Sequence, residues 1–385
     1  MKTKAVFLIS LLLFVTLLCS CVKIRIPSSW FGGAATETES EAEEEYTGEV
    51  KAPFYDGAER YAYVTLDAEQ KQLYDKILDA ALSLDEYVSI TDTKAAEYVY
   101  NAVFFDCAEL FYLSQTPGFD TGKLVFNYVF SRSQINEIST GLDRAFNEFK
   151  TTKLSDGMSE YDVFFTIYTY IINITKYAFD ESDLFEENVF NTKVYRAMCA
   201  AGPLIDRTAI CTGYARATQY MCQRLGITCF TVNGRGSGGL HYFNIVKLNG
   251  EYYYSDTTWG DPVGQDRSKD YLTYYYFCTT TEETFRSHVV ESVIPMPLCT
   301  ATECNYYVRN GLTADTSAEI AKMAYAAYKR QESEIRIKVD HEKLNNVYSE
   351  MKAAINEVFV NNGELNVKFS VSKSDGPSLI SVFFK

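Results

Sequence analysis

The chain has 385 residues, a hydrophobic fraction of 47% and a formal net charge of −15 at pH 7. This length is enough for a sizeable core in one large domain or in about two to three ordinary ones. The acidic balance argues against nucleic acid as a partner, because a surface that binds phosphates needs a local excess of positive charge.

The N-terminus begins with basic residues followed by an apolar run. Lys2 and Lys4 precede the stretch from Ala5 to Leu18, in which only Ser10 and Thr16 are polar. This run is too short for a comfortable transmembrane helix and has the layout of a secretory signal. We therefore expect the chain to be exported.

The apolar run ends in the sequence LCSC, Leu18 to Cys21. This ending resembles the processing site of bacterial lipoproteins, in which an aliphatic residue and two small ones precede the cysteine that receives lipid. We predict a signal peptide over residues 1–21 with Cys21 as the lipidated first residue of the mature protein. Cys19 fits less well because the bulky Leu18 precedes it.

The lipoprotein resemblance implies an extracytoplasmic protein, lipid-anchored to the outer face of the bacterial cell membrane. An ordinary cleaved signal with release of the protein is the alternative. Residues 22–55 are predicted to be an acidic, flexible linker. They include the run ATETESEAEEE, which offers no apolar side chain larger than alanine and repels itself.

Residues 56–153 are predicted to form an N-terminal α+β module. Amphipathic and alternating patterns favour the element order α-β-α-β-β. The predicted elements are a helix over Leu66–Leu84, a strand over Glu86–Ile90, a helix over Ala95–Leu110, and strands over Leu110–Ser114 and Lys123–Phe130.

The segment from Ile210 to Leu225 predicts a helix that begins beside a cysteine. Thr208 is the expected N-cap, and Gly226 is the expected stop. Cys211 then lies in the first turn, where unpaired backbone N–H groups and the positive end of the helix dipole favour a thiolate. The same N–H groups can hold a developing oxyanion. The helix alone leaves open whether Cys211 is a nucleophile or a structural thiol.

The segment HYFNIVKLNGEYYYSDTTWGDP, His241 to Pro262, supplies a partner for this cysteine. Two aromatic and β-branched runs flank Asn249-Gly250, a strong signal for a two-residue hairpin. This turn places Phe243 opposite Asp256 and puts His241 on the same face, diagonal to Asp256 at roughly 7 to 8 Å between backbones. We predict that His241 is a base and that Asp256 orients it.

The remaining cysteines and histidines do not indicate a metal site. No CxxC pair occurs, and the chain has three histidines, so we expect neither a metal nor a cofactor. His288 and His341 are interpreted as surface or structural residues. Cys299 and Cys304 are close enough to close a short disulfide loop, but spacing does not decide connectivity.

A glycine-rich stretch, NGRGSGGL, precedes His241 and spans Asn233 to Leu240. It is not a phosphate cradle, because no Lys-Ser/Thr pair follows it and no helix begins after it. We interpret it as a loop, which is either a mobile rim beside His241 or an ordinary surface connection.

Residues 301–385 are predicted to form a C-terminal α+β module with the same order, α-β-α-β-β. The predicted elements are a helix over Ala318–Gln331, a strand over Glu334–Val339, a helix over His341–Phe359, and strands over Glu364–Ser372 and Ser378–Lys385. We therefore propose similar modules on both sides of the central part.

The blocks AICTGYARA and HYFNIVKLNGEYYYSDTTWGDP resemble the transglutaminase-like superfamily. The resemblance covers about Ser155 to Val263 and includes an upstream helix over Glu160 to Asp180. It implies an α+β fold with a papain-like, transglutaminase-like core, in which a cysteine-bearing helix packs against an antiparallel sheet. The catalytic domain would span residues 154–300, between the two small modules.

This resemblance implies a catalytic triad of Cys211 as nucleophile, His241 as general base and acid, and Asp256 as the orienting residue. Further residues of the motif are expected to support the groove or the structure, namely Gly213, Tyr214, Tyr242, Trp259 and Asp261. Tyr242 stands in a Tyr-Phe pair where many relatives carry Ala-Trp, which changes the groove lining. Tyr195 is a candidate for a side chain in the oxyanion hole.

The expected function is that of a cell-surface cysteine protease, amidase or transglutaminase-type acyltransferase that forms a thioester on Cys211. Its partners would be peptide or protein substrates, with cell-wall peptides as a candidate, and the residues do not decide between water and an amine as acyl acceptor. The alternative is a catalytically inactive surface binding or scaffold lipoprotein with the same fold.

Replacement of Cys21 tests the anchor. In a bacterial host fed a labelled fatty acid, we expect Cys21→Ser to abolish labelling of the protein, because this thiol is the predicted site of lipid attachment. The matched variant Cys19→Ser should be labelled like the parent. Labelling that survives in Cys21→Ser would contradict the assignment.

Overall fold

The computed structural model describes residues 58–178, 192–237, 239–261, 272–374 and 376–385. The predicted signal peptide, the lipid site at Cys21 and the linker lie outside these residues. No helix within the described ranges is long and apolar enough to cross a membrane.

The N-terminal region packs helices around a small antiparallel sheet of order β1-β3-β2. The side chain of Asp67 accepts the Gln70 N–H and caps the second helix, and the Gln70 side chain accepts the Asp67 N–H in return. The elements are α1 (Tyr61–Thr65), α2 (Ala68–Leu82), β1 (Tyr87–Ser89), α3 (Thr93–Asp106), β2 (Gly118–Asp120), β3 (Lys123–Val125) and α4 (Arg132–Lys153).

One predicted strand of this region is wrong. Leu110–Ser114 forms turns and a single bridge, between Leu113 and Tyr128, and the sheet takes Gly118–Asp120 instead. The apolar side chains of the segment are buried in the core, and burial of a short apolar run does not require a strand.

The central part places one helix against a four-stranded antiparallel sheet of order β8-β7-β6-β9. Its helices and short strands are α5 (Glu160–Ile174), β4 (Lys176–Tyr177), α6 (Thr192–Ala197), β5 (Thr208–Ala209), α7 (Cys211–Arg224) and α8 (Thr281–Thr284). The sheet consists of β6 (Cys229–Gly236), β7 (Gly239–Leu248), β8 (Glu251–Ser255) and β9 (His288–Val290).

Helix α7 is buried continuously from Thr212 to Gln223, so it is a core helix rather than a surface helix with one apolar stripe. The Asn244 amide on β7 donates to the Ala215 carbonyl at 3.0 Å and ties the helix to the sheet. The expected cap at Thr208 is wrong, because Thr208 lies in β5 and Ile210 occupies the N-cap without a side-chain hydrogen bond. The predicted stop is confirmed, since Gly226 has a positive φ of 78°.

The N-terminal region supports α7 directly. The Gln219 and Gln223 amides, both on α7, donate to the backbone carbonyl of Asp106 at the end of α3, at 3.1 and 2.6 Å. Buried residues of the two parts belong to one continuous hydrophobic cluster. Helix α7, which begins at Cys211, is therefore positioned by the sheet on one side and by α3 on another.

The C-terminal region has a hydrophobic cluster of its own. Its elements are α9 (Tyr306–Arg309), β10 (Thr313–Ala314), α10 (Ser317–Lys329), β11 (Glu334–Val339), α11 (Leu344–Asn361), β12 (Phe369–Ser374) and β13 (Leu379–Phe384). The predicted order α-β-α-β-β is confirmed from α10 to β13. In both flanking regions the last strand of this series pairs antiparallel with the first and with the second, so the two share one strand topology.

Replacement of Gly213 tests the packing of α7. A β-carbon at this position would lie 2.2 Å from the Ala197 carbonyl oxygen and 2.9 Å from the Ala209 β-carbon. We expect Gly213→Ala to lower the free energy of unfolding by about 2 kcal/mol, because overpacking against backbone outweighs the higher helix propensity of alanine.

Denaturant unfolding measures this loss. Gly239→Ala is the matched control, since its β-carbon would have its nearest neighbour at 3.9 Å, and we expect a change within about 0.5 kcal/mol. Equal stability of Gly213→Ala and the parent would contradict the close packing.

Candidate active site

Cys211 is the first residue of α7, as predicted. Unpaired backbone N–H groups and the positive end of the helix dipole therefore surround its thiol. Cys211 is half-buried, whereas the other seven cysteines that the structure describes are buried. All eight are free thiols, Cys299 and Cys304 included. Cys211 is thus the most accessible of these thiols and the one that begins a helix.

The hairpin of β7 and β8 has the predicted register. Leu248 pairs with Glu251 and Asn244 pairs with Ser255, around the turn at Asn249-Gly250. Asn249 and Gly250 both have positive φ, which is the conformation that a two-residue type I′ turn requires. The residue that follows the last pair on β8 is Asp256, which therefore lies beside the His241 side of the sheet.

The predicted contact between His241 and Asp256 is confirmed. His241 Nε2 lies 2.7 Å from Asp256 Oδ2, and the two residues are only 5% and 2% exposed. Because the carboxylate is acceptor-only, Nε2 carries the proton and donates it. The other ring nitrogen, Nδ1, is the one available to Cys211, whose side chain lies close enough to raise the pKa of His241.

Charge and burial act in opposite directions on this pair. Burial alone lowers the pKa of His241. The negative charge and hydrogen bond of Asp256, together with the contact with Cys211, raise this pKa by more than burial lowers it, so the net shift is upward. Burial raises the pKa of Asp256, and the two histidine contacts more than offset this, so its pKa lies below the usual range. The pair therefore favours a protonated imidazole beside the thiol and an ionised carboxylate behind it.

Asp256 accepts hydrogen bonds on both oxygens. Oδ1 accepts the backbone N–H groups of Thr258 and Trp259 at 2.8 and 3.1 Å. Oδ2 accepts from His241 and also from Nε2 of His288, at 3.1 Å. Of the two interpretations of His288, as a surface or a structural residue, the first is wrong, since His288 is 2% exposed and contacts Asp256.

Sequence reasoning missed His288 because it lies outside the motif, on a strand whose position in the sheet depends on tertiary pairing. Strand β9 pairs with β6, not with β8, which precedes it in the chain. The scarcity of histidine was the one available signal, because two of the three histidines of the chain meet at one carboxylate.

The loop predicted over Asn233–Leu240 is wrong at both ends. Asn233 to Gly236 complete β6, Gly239 and Leu240 begin β7, and the pairing closes with Gly236 opposite Gly239. Gly234 pairs with His241, so the glycines of β6 lie on the histidine-bearing side of the sheet. The stretch therefore belongs to the two strands β6 and β7, the second of which carries His241.

The residues predicted to support the site have identifiable contacts. The Tyr214 hydroxyl donates to Asp261 Oδ2 at 2.6 Å, which ties α7 to the turn after β8. The Tyr242 hydroxyl donates to Gln115 Oε1 at 2.9 Å, in the N-terminal region. The Trp259 ring lies 5.2 Å from the His241 ring, centroid to centroid. Gly213 permits the close approach of α7 to Ala197 described above.

The structure places Tyr177, rather than Tyr195, beside Cys211. The Tyr195 ring packs edge-on against Phe130, with centroids 6.3 Å apart. Tyr177 lies beside Cys211, whose thiol and backbone N–H both act on the pKa of the Tyr177 hydroxyl. Tyr177 is therefore the phenol next to the position where an oxyanion would form.

The described residues contain one cluster with ligand atoms close enough for a metal ion, formed by His241, Asp256 and His288. Hydrogen bonds at 2.7 and 3.1 Å between the two imidazoles and the carboxylate account for this cluster. The cluster consists of two imidazoles, which donate hydrogen bonds, and one carboxylate, which accepts them. It contains no cysteine thiolate of the kind found in structural zinc sites.

Two solved structures resemble parts of this chain. A "TGase" (transglutaminase) matches with a TM-score of 0.28 and 14% identity, over 50% of this chain and 48% of that chain. A "putative cysteine protease" from Cytophaga hutchinsonii matches with a TM-score of 0.23 and 16% identity, over 34% of this chain and 43% of that one. The present chain thus spans less than half the length of each. No family model and no curated protein matches the sequence.

Alkylation tests the setting of the thiol. We expect iodoacetamide to modify Cys211 of the folded protein at neutral pH before the buried cysteines, as mapped by peptide mass spectrometry. Replacing His241 with alanine should slow this reaction at pH 7 by about tenfold, because an ordinary thiol has a thiolate fraction of only a few per cent there.

Cys304→Ser is the control, since it removes a buried thiol outside the site and should leave the rate at Cys211 unchanged. Equal rates for His241→Ala and the parent would contradict an ion pair between the thiol and the imidazole.

Proposed function

We propose that this protein is a transglutaminase-like cysteine enzyme that transfers acyl groups from peptide or carboxamide substrates through a thioester on Cys211. The observation that carries the proposal is the order of three groups: a thiol at a helix N-terminus, an imidazole beside it, and a buried carboxylate 2.7 Å from Nε2 of that imidazole. This is the arrangement that nucleophilic acyl transfer requires.

In the first half-reaction the Cys211 thiolate attacks the carbonyl carbon of the substrate. A C–S bond forms, the carbonyl oxygen takes the negative charge, and the N–H groups of the first turn of α7 stabilise it. The C–N bond then breaks, His241 gives its Nδ1 proton to the leaving amine, and the acyl group remains on sulfur. Asp256 stabilises the imidazolium before this transfer and keeps Nδ1 directed at the reacting atoms.

In the second half-reaction an acceptor replaces the thiolate. His241, now neutral, takes a proton from water or from an amine as the acceptor attacks the thioester carbon, and the C–S bond breaks. Water yields a carboxylic acid, and a lysine or diamino acid yields a new amide. Both outcomes use the same triad, so the acceptor depends on the groove and not on the catalytic residues.

The proposed setting is the outer face of the bacterial cell membrane. The signal-like N-terminus and the LCSC sequence support a lipid anchor at Cys21, and the acidic run supports a solvated linker between the anchor and the folded part. Peptides and proteins at the cell surface, including cell-wall peptides, are then the accessible substrates.

Mass spectrometry with a labelled primary amine tests this function. We incubate the full chain with cell-wall peptides and with glutamine-containing peptides, and we expect either hydrolysed peptide or an isopeptide-linked amine. A mass increase on the Cys211 peptide should report the thioester. Cys211→Ala should lose all product, and Cys304→Ala, the matched variant of a buried thiol, should retain it.

The same experiment separates the two functional classes. Product that forms equally with Cys211→Ala, or the absence of both product and thioester with the parent, would contradict the enzyme proposal. Retained peptide binding without turnover would then support the scaffold alternative.

A further inference from the structure

His288 shares a carboxylate oxygen with the triad histidine. Both Nε2 atoms point at Oδ2 of Asp256, from His241 at 2.7 Å and from His288 at 3.1 Å. Since the carboxylate offers only acceptor sites, each Nε2 carries a hydrogen. Asp256 thus has four donors, two backbone N–H groups on one oxygen and two imidazoles on the other.

The sheet brings the two imidazoles together across β6. His241 pairs with Gly234 on one side of this strand, and His288 pairs with Gly236 on the other side. Gly234 and Gly236 are two positions apart on β6 and therefore share one face of the sheet. On that face β6 places no side chain between the two histidines. The two ring centroids are 5.4 Å apart. A β-carbon at position 236 would lie 2.7 Å from the Trp259 ring, so this empty position also admits the indole.

The His288 ring has little freedom to move. Three aromatic side chains surround it, with centroid distances of 4.3 Å to Trp259, 4.9 Å to Phe243 and 5.1 Å to Tyr276. Its Nδ1 lies 2.9 Å from the Ser287 hydroxyl. The ring is therefore fixed at both nitrogens and on its faces, which suits a group that holds another group in place.

We propose that His288 is a positioning residue, which holds the Asp256 carboxylate in the orientation that aligns His241 with Cys211. This inference rests on the proposed function, because Asp256 aligns His241 for catalysis only if the triad is catalytic. His288 does not contact the reacting sulfur; it acts through Asp256. With His288 in place, Oδ2 cannot rotate away from His241 without breaking a second buried hydrogen bond.

Two substitutions separate positioning from mere packing. His288→Leu removes the donor and keeps an apolar side chain in the cage, whereas His288→Gln keeps an N–H near the position of Nε2. We expect His288→Leu to lower kcat by about tenfold to a hundredfold with KM nearly unchanged, because misalignment of a catalytic group slows the chemical step. His288→Gln should recover most of the loss.

The third histidine provides the matched control. His341 bonds to Ser378 in the C-terminal region, and His341→Leu should leave kcat unchanged. Thermal unfolding of each variant checks that it is folded. A folded His288→Leu with parental kcat, or a His288→Gln that is as slow as His288→Leu, would overturn the proposal.

A spectroscopic measurement on the parent does not depend on any variant's stability or on a substrate. Two-bond ¹H–¹⁵N spectra of ¹⁵N-histidine-labelled protein should show a proton on Nε2 of His288, as the contact with Asp256 requires. A neutral ring with its proton on Nδ1 would overturn the proposal.

The alkylation rate of Cys211 distinguishes failure of this inference from failure of the proposed function. It needs no substrate, and we expect His288→Leu to slow it at pH 7 severalfold while His288→Gln does not. If no acyl transfer is found but this pattern holds, the proposed reaction fails and the role of His288 stands. If acyl transfer is found but the pattern is absent, His288 is not a positioning residue.

Discussion

The buried carboxylate of Asp256 is the interaction on which the site depends. A charge that is removed from water must be paired and hydrogen-bonded, or it neutralises. Asp256 meets this requirement with donors from three elements: the turn after β8, His241 on β7 and His288 on β9. The same bonds that stabilise the charge also define where the imidazole of His241 points.

A second buried carboxylate, Asp106, links the N-terminal region to α7, the helix that begins at Cys211. Its side chain accepts the backbone N–H groups of Ala62 and Tyr63 and the hydroxyl of Tyr74, while burial raises its pKa to about 7. Its backbone carbonyl receives the amides of Gln219 and Gln223 from α7. The position of Cys211 thus depends on residues more than a hundred positions earlier in the chain. This arrangement explains why α7 carries polar side chains on a fully buried surface.

Local chemistry explains what could be predicted, and its limits explain the errors. The pair Asn249-Gly250 is enough to predict a hairpin, because asparagine and glycine adopt positive φ at little cost in free energy. The register follows from that turn, and so does the contact between His241 and Asp256. The expected cap at Thr208 failed because β5 uses that residue in pairing with β4. The strand expected at Leu110–Ser114 failed because an apolar run is buried equally well in turns. The glycines of Asn233–Leu240 suggested a loop. Two of them instead lie on β6, opposite His241 and His288, where the absence of a side chain lets the two imidazoles come close.

The sequence by itself determined the net negative charge, the element order of the C-terminal region, the helix that begins at Cys211 and the register that joins His241 to Asp256. Each of these depends on residues close in the chain, where turn geometry and side-chain periodicity act directly. Only the tertiary structure decided that α7 presents its first turn to His241, that Tyr177 lies beside the thiol, and that β9 brings His288 to Asp256. These contacts join segments that have no periodic relation, and burial of a shared core selects them.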